Sequence, residues 1–480
     1  MKRNYIFSTA VCLLFLLSSC GNDWLDEMIP QTSAETEKSL ITLTEAEYAI
    51  NGIYDLFRNY QYYGARSTYY ADAKSEDMQA RNDSKRVARY YLFTFNAQNA
   101  PSNFWSYPYK VIRNANNILE FLDEKYEGEK NDKWKHIKGQ ALTMRAMAHF
   151  DLVKVYGMPY TKDAGASLGV PVVTKKLPND AKPARNTVAE VYKQVIDDLV
   201  DASDLISKDK KDFCLNWYST RHLLARAYLY KNDNKEAFEV ASEVITEAEK
   251  NGYKLFPNAE YANAWKEKTG SEYFYVIMNS ADEISDSKEF VSYLMHRSGY
   301  DDLNLSLDYM NLINEDSKDI RIKITSKYTH TKTDGKTCYY LAKYVSPDYK
   351  VSNIPVLRLS ETYLIAAEAA IKRDDRTNAA KYLNAIVSRA NPDKSVKEAD
   401  VTLDRILIER RKELVGEGHR LFDAMRNNQT IERKGKSHDS ALLTPETMKF
   451  DWNFGKILMP IPRNEMTTNP NMVQNPSYGN

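Results

Sequence analysis

A helical hairpin with small residues on its facing stripes occurs twice in the chain, at an offset of 142 residues. Leu224 and Ala227, the turn around Asn232-Asp233-Asn234, and Ala237, Ala241, Val244 and Ala248 form the first copy. Ala366 and Ala369, the turn around Asp374-Asp375, and Ala379, Leu383, Ile386 and Ala390 form the second. Steps of three and four put each set on one helix face, and small side chains let two antiparallel helices approach closely. A single hairpin of this design cannot bury its apolar face alone, so such units stack as tetratricopeptide-like repeats do. An irregular helical bundle with two similar hairpins is the competing reading.

Other segments carry the same periodicity. Leu142, Ala146, Phe150 and Val153 share one face of a helix that Gly157 and Pro159 end. Thr187-Val188-Ala189-Glu190 reads as a capping box, followed by the stripe Val191, Val195, Leu199, Ala202 and Ile206. The pattern breaks over residues 60–110, where tyrosines come in bursts among charged residues. It breaks again over 251–356, which has short β-like runs such as Tyr273-Phe274-Tyr275-Val276-Ile277. A stretch as long as 251–356 is no plain connection, so a loop-rich insertion with short helices and a few strands is expected there.

The first twenty residues carry an address. Lys2 and Arg3 precede an apolar run from Ile6 to Leu17, too short for a stable span, and Leu17-Ser18-Ser19 leads into Cys20. This arrangement resembles a bacterial lipoprotein signal, with residues 1–19 removed and Cys20 lipidated as the first mature residue. Residues 20–36 then read as a tether. Its Asp23, Asp26 and Glu27 fit either a surface-export signal or a solvated polar linker. Several acyl chains on Cys20 would hold the protein at a bilayer without its crossing.

Most chemistry classes find no support. The 66 basic and 66 acidic residues balance, so no global field attracts a polyanion, and nucleic acid is not an expected partner. The seven histidines and four cysteines lack metal-ligand spacing, and neither a Walker loop nor a dinucleotide fingerprint is present. No transition metal and no cofactor is therefore expected, and no metal ligand is assigned; a Ca²⁺ site among the acidic loops is left open. Gly165-Ala166-Ser167-Leu168-Gly169 spells a nucleophile elbow, but that motif needs a preceding strand, and a helix end precedes it here. Glu361 and Glu368 would share a helix face and are expected to pair with neighbours such as Arg358 and Lys372 rather than to catalyse. No catalytic residue is assigned. Cys214 and Cys338 leave a disulfide undecided.

The 34 tyrosines are about twice the usual share and are the positive signal. A sugar ring has an apolar C–H face and a hydroxyl edge, so a site for it pairs aromatic rings with planar hydrogen-bonding groups. One such group holds Tyr60, Tyr62, Tyr63, Tyr69 and Tyr70, then Asp72, Asp77, Arg81 and Asn82, then Tyr90 and Tyr91. A second holds Tyr293, His296, Arg297 and Tyr300, and a third Tyr339, Tyr340, Tyr344 and Tyr349. Core packing with the hydroxyl partnered is the ordinary fate of a tyrosine. The residues expected to contact ligand are Tyr69, Tyr70, Asp72, Asp77, Arg81, Asn82, Tyr293, Arg297 and Tyr300.

Several motifs in order give the chain a resemblance over essentially its whole length. They are Cys20 with Trp24-Leu25-Asp26 and Pro30; Arg145 through Tyr156-Gly157 to Pro159; and Leu168-Gly169-Val170-Pro171. Then come Leu224 through Tyr230, Leu357 through Glu368, Glu409 through Glu413 with Glu417-Gly418 and Arg420 through Asp423, and Pro460-Ile461-Pro462 with Glu465. Together these resemble the SusD/RagB family of outer-membrane lipoproteins. The resemblance implies a dominantly α fold of four tetratricopeptide-like helix pairs, one domain over 37–480, and variable ligand-facing segments near 60–110 and 251–356. It also implies a non-enzymatic role: binding glycan, or peptide in some members, at the cell surface beneath a lipid anchor. The implied partner is a SusC-like TonB-dependent transporter. A structural repeat module without small ligand is the remaining alternative.

Overall fold

The computed structural model describes residues 40–81, 85–267, 269–280, 287–329, 337–345, 348–435, 437–438 and 442–479. The leader, Cys20 and the tether, together with Asn82, lie outside the described residues.

The long helices are α1 Leu43–Arg58, α2 Arg66–Ala73, α3 Ser102–Glu120, α4 Asp132–Tyr156, α5 Val188–Ser203, α6 Trp217–Lys231, α7 Asn234–Lys250, α8 Leu359–Ile371, α9 Arg376–Ala390, α10 Leu403–Leu414 and α11 Arg420–Arg426. Their ends follow local chemistry. Asn131 Oδ1 accepts the Trp134 N–H at 3.1 Å to start α4, and Gly157 closes it with a bond to Val153 O at 2.9 Å. Before α5, Thr187 Oγ1 accepts from Glu190 N–H at 3.2 Å while Glu190 accepts the Thr187 N–H at 2.7 Å, the reciprocal box expected from the sequence. The hairpin turns place Asn232 and Asp374 at φ +68° and +61°, a left-handed conformation that Asn and Asp tolerate better than branched residues.

The helices stack in sequence order: α3 on α4, α4 on α5, α5 on α6, α6 on α7, α7 on α8 and α8 on α9, with α10 across α8. Ala227, Ala237 and Ala241 of the first hairpin and Ala366, Ala369 and Ala379 of the second are fully buried, so the repeated small residues are where the helices meet. The result is a helix-dominated, tetratricopeptide-like repeat stack, and nearly all of its buried apolar residues form one cluster.

The described strands are short and pair antiparallel in twos. They are β1 Met78–Ala80 with β3 Leu303–Leu305; β2 Tyr273–Ile277 with β6 Ile354–Arg358; β4 Thr325–Thr329 with β5 Thr337–Leu341; and β7 Ile431–Glu432 with β8 Lys449–Phe450. In β2–β6, Tyr273 faces Arg358 and Ile277 faces Ile354. All five β2 residues are buried, because α1 and α6 pack on this strand, which explains its unbroken apolar run. Cys214 and Cys338 are not joined to each other.

A buried ionic network locks the C-terminal motif into the stack. Glu413 accepts from Arg358 at 2.8 Å and from Arg321 at 3.2 Å, and Arg389 forms an ion pair with it at 2.7 Å. Arg410 reaches Asp423 at 2.9 Å, and Arg426 grips both Asp423 and Glu368. Glu368 takes Lys372 at 2.9 Å as the sequence suggested, but Glu361 pairs with Arg226 and His222, while Arg358 turns to Glu272, Glu413 and Glu417. Burial by itself would raise the Glu361 carboxyl, yet Arg226, with His419 and His222, outweighs it and holds the group well below the usual carboxylate range.

Candidate functional site

The first tyrosine group is interior. Tyr69 and Tyr70 are 3% and 1% exposed, and Asp72 and Asp77 are 0%. Tyr70 donates to Ile457 O at 2.9 Å, and Tyr69 packs edge-on to Tyr90 with ring centres 5.3 Å apart. Tyr62 donates to Asp151 at 2.7 Å. Asp77 receives Arg411 Nε at 3.1 Å, and Asp72 receives the Gly418 N–H at 2.6 Å. The expectation that Tyr69, Tyr70, Asp72 and Asp77 face a ligand is therefore corrected. Their polar groups fasten α2 and β1 to α10 and the loop before α11, and the rings fill the core between. Arg81, half-buried, sits 3.9 Å from Asp301 and 4.0 Å from Asp302.

Tyr340 and Tyr349 of the third group meet the second group near the surface, whereas Tyr344 is buried and donates to Gly416 O at 2.7 Å. The short helix Val291–Met295 is tied to the turn after α1 by the Val291 N–H to Gly64 O bond at 2.9 Å. The chain then doubles back: the Tyr300 N–H bonds Tyr293 O at 2.9 Å and the Asp302 N–H bonds Leu294 O at 2.7 Å before β3 begins. Gly299 makes this turn feasible, since a Cβ there would lie 2.1 Å from Tyr293 O. Tyr340 arrives on β5, and Tyr349 arrives from the turn before β6.

The rings form a continuous patch. Tyr293 stands edge-on to Tyr300 at 5.0 Å and tilted to Tyr349 at 5.6 Å. His296 lies flat on Tyr349, with centres 4.1 Å apart and planes 9° apart, and edge-on to Tyr340 at 5.1 Å. The Arg86 guanidinium covers Tyr300 at 3.8 Å while its Nε reaches Glu289 at 2.8 Å. Tyr293, His296, Tyr300 and Tyr349 are half-buried, Tyr340 is buried, and Arg297 is exposed. His296 Nδ1 accepts the Ser298 N–H at 3.0 Å, which places the ring proton of the neutral form on Nε2. Burial, then Arg297, holds the His296 pKa below the ordinary histidine value, so the ring is neutral at pH 7.

Half-buried rings flanked by Arg297, Arg86 and an imidazole N–H can stack on an apolar face and hydrogen-bond a polar edge. Of the sequence-based candidates, Tyr293, Arg297 and Tyr300 belong to this patch. Arg86, Glu289, His296, Tyr340 and Tyr349 complete it. Arg86 and Glu289 gave no aromatic or spacing signal, and they meet across 203 residues.

The serine motif does not sit as its chemistry needs. Ser167 lies between the short helix Tyr160–Asp163 and an isolated bridge from Leu168 to Thr187, not at a strand-to-helix elbow. Among the described residues no group of three or more His, Cys, Asp or Glu is arranged to hold a metal. No described helix is long and apolar enough to cross a membrane.

A stack of helical hairpins that carries an aromatic surface patch on its insertion defines a repeat-scaffolded protein. The chain belongs to the SusD family, whose model matches residues 206–478; a second model, described as starch-binding associating with outer membrane, matches residues 23–229. A solved candidate sugar-binding protein from Bacteroides vulgatus is 43% identical, with TM-score 0.86, over 92% of this chain and 99% of its own. A SusD-like protein P38 from Formosa agariphila is 23% identical over 97% of both chains. A laminarin binding SusD-like protein shares the fold, with TM-score 0.70 and 22% identity over 92% of this chain and all of its own.

Proposed function

We propose that this protein is a lipid-anchored, surface-exposed outer-membrane protein that binds glycan on the Tyr293–Tyr349 patch and delivers it to a SusC-like TonB-dependent transporter. The observation that carries the binding reading is the patch itself. Segment 289–300 and Tyr349 converge, with Tyr340 alongside, to present four half-buried rings beside an exposed arginine, in a molecule whose first tyrosine burst is spent on its core. The description of the family model that covers the N-terminal half and the laminarin-binding neighbour support a glycan ligand. Stacking on C–H faces and hydrogen bonding to hydroxyl edges require no bond to change, so no catalytic step is assigned. Cys20 supplies the anchor and residues 20–36 the tether. The repeats give rigid support, and residues 37–480 act as one domain.

The test is a glycan array probed with the chain lacking residues 1–20, run beside a peptide library. Binding to an oligosaccharide set that disappears in Tyr349→Ala is the expected result. Capture of peptides alone, or turnover of a bound glycan, would overturn the reading.

A further inference from the structure

A concavity that shares no residue with the aromatic patch opens between α3, the strap 171–183 and the C-terminal segment 465–472. It encloses about 410 Å³, within the roughly 300–1,000 Å³ typical of small-ligand sites. Four cations line it, Arg113, Lys175, Lys176 and Lys182, against two carboxylates, Asp180 and Glu465. Arg113, Lys175 and Lys182 are exposed and have no carboxylate partner among the described residues. Glu465 is half-buried beside Trp105, and burial raises its carboxyl above the ordinary glutamate value.

The strap is fixed by side chains that consume its carbonyls. Asn116 Nδ2 donates to Val173 O at 3.1 Å and Lys175 O at 3.2 Å, and the Tyr109 hydroxyl donates to Pro171 O at 3.0 Å. From the other side, Asn469 Nδ2 reaches Pro183 O at 2.8 Å and Asn471 Nδ2 reaches Lys182 O at 2.7 Å. With its backbone fastened at both ends, the strap needs little further ordering when a ligand binds. The buried Trp105 ring, edge-on to Tyr156 at 4.8 Å and tilted to Tyr109 at 5.2 Å, supplies an apolar base.

We propose that this cleft binds an anionic saccharide unit, a sugar bearing a carboxylate or a phosphate. Arg113, Lys175 and Lys182 take the anion, and the Tyr109–Trp105 floor takes the ring. A guanidinium matches carboxylate and phosphate geometry in a bidentate fork, and lysine adds point charge. The volume exceeds what a bare anion fills, which is why a sugar rather than inorganic phosphate is the assigned occupant. This inference stands independently of the aromatic patch.

The test is calorimetric titration of the protein with glucuronate, glucose 1-phosphate, glucose and inorganic phosphate at low and physiological salt. At least one acidic sugar is expected to bind more than tenfold tighter than both glucose and inorganic phosphate, and to weaken as salt rises. The exposed-site double variant Arg113→Gln/Lys182→Gln is expected to lose at least tenfold with an unchanged melting temperature, whereas Tyr349→Ala changes nothing here. If both acidic sugars bind no better than glucose, if inorganic phosphate binds as well as they do, or if the double variant retains full affinity, the proposal is wrong.

Discussion

Glu361→Ala is the sharpest probe of how the scaffold is held. Glu361 is 1% exposed and sits 2.9 Å from Arg226 Nε, 3.0 Å from His222 Nε2 and 3.7 Å from both Arg410 and His419. Removing it strands Arg226, itself 4% exposed, without its carboxylate. Breaking a buried ion pair by deleting one partner costs about 3–5 kcal/mol, because the remaining charge cannot regain water. At about 2.1 cal/mol/K per residue, a chain of this length unfolds with an entropy near ~1 kcal/mol/K. A loss of ~4 kcal/mol therefore lowers Tm by about 4 °C. Scanning calorimetry of the chain lacking residues 1–20 reads this directly. Glu361→Ala/Arg226→Met should recover part of the loss, since it removes the stranded cation as well. A drop below about 1 °C in the single variant, or a double variant that merely adds two losses, would refute the claim that the network is an interdependent ionic unit.

Three further outcomes follow from named groups. Burial raises the Asp72 carboxyl to about 8, against the lowering effect of the Gly418 N–H, so the folded state holds a proton that the unfolded chain releases near pH 4. Stability from this group is complete below about pH 4 and falls as pH rises to about 8; Asp72→Asn should gain melting temperature over the wild type progressively across that window, and a constant difference would contradict the assignment. Protonation of His296 requires Nδ1 to release the Ser298 N–H. Because the folded pKa is depressed, the turn keeps its stability above the ordinary histidine value and loses it as pH falls below. Glycan affinity should fall on acidification in the wild type but not in His296→Gln, as titrations at pH 7 and pH 5 would show. Gly299→Val must displace Tyr293 O, so it should abolish patch binding while shifting the melting temperature little; unchanged affinity would show that the doubled-back turn does not shape the patch.

The sequence was most informative where one element carries its own signal. The Thr187–Glu190 box, the Gly157 stop and the Ala-rich stripes of α6–α9 depend on spacings of three and four, and each appears where its pattern lies. Even the buried strand β2 was visible as an apolar run, although only its cover by α1 and α6 explains why alternation is missing. The patch was legible only in part. Tyr70 and Tyr300 are chemically identical, and both sit among charged residues in sequence. What separates them is that α2 lies beneath the loop before α11, while the 291–302 turn lies on the outside. That distinction arises from contacts across hundreds of residues, as when Arg411 captures Asp77, and no local pattern encodes it. Arg86 escaped notice for the same reason: its role depends on Glu289 and Tyr300, which only the folded chain brings to it.

The most direct test of the account is a calorimetric titration of the array-selected oligosaccharide against wild type, Tyr349→Ala and Tyr70→Phe. The account predicts at least a tenfold loss, about 1.4 kcal/mol, for Tyr349→Ala and no change in affinity for Tyr70→Phe, whose ring stays in the core. Full affinity in Tyr349→Ala together with loss in Tyr70→Phe would place the ligand at the first tyrosine group and contradict it.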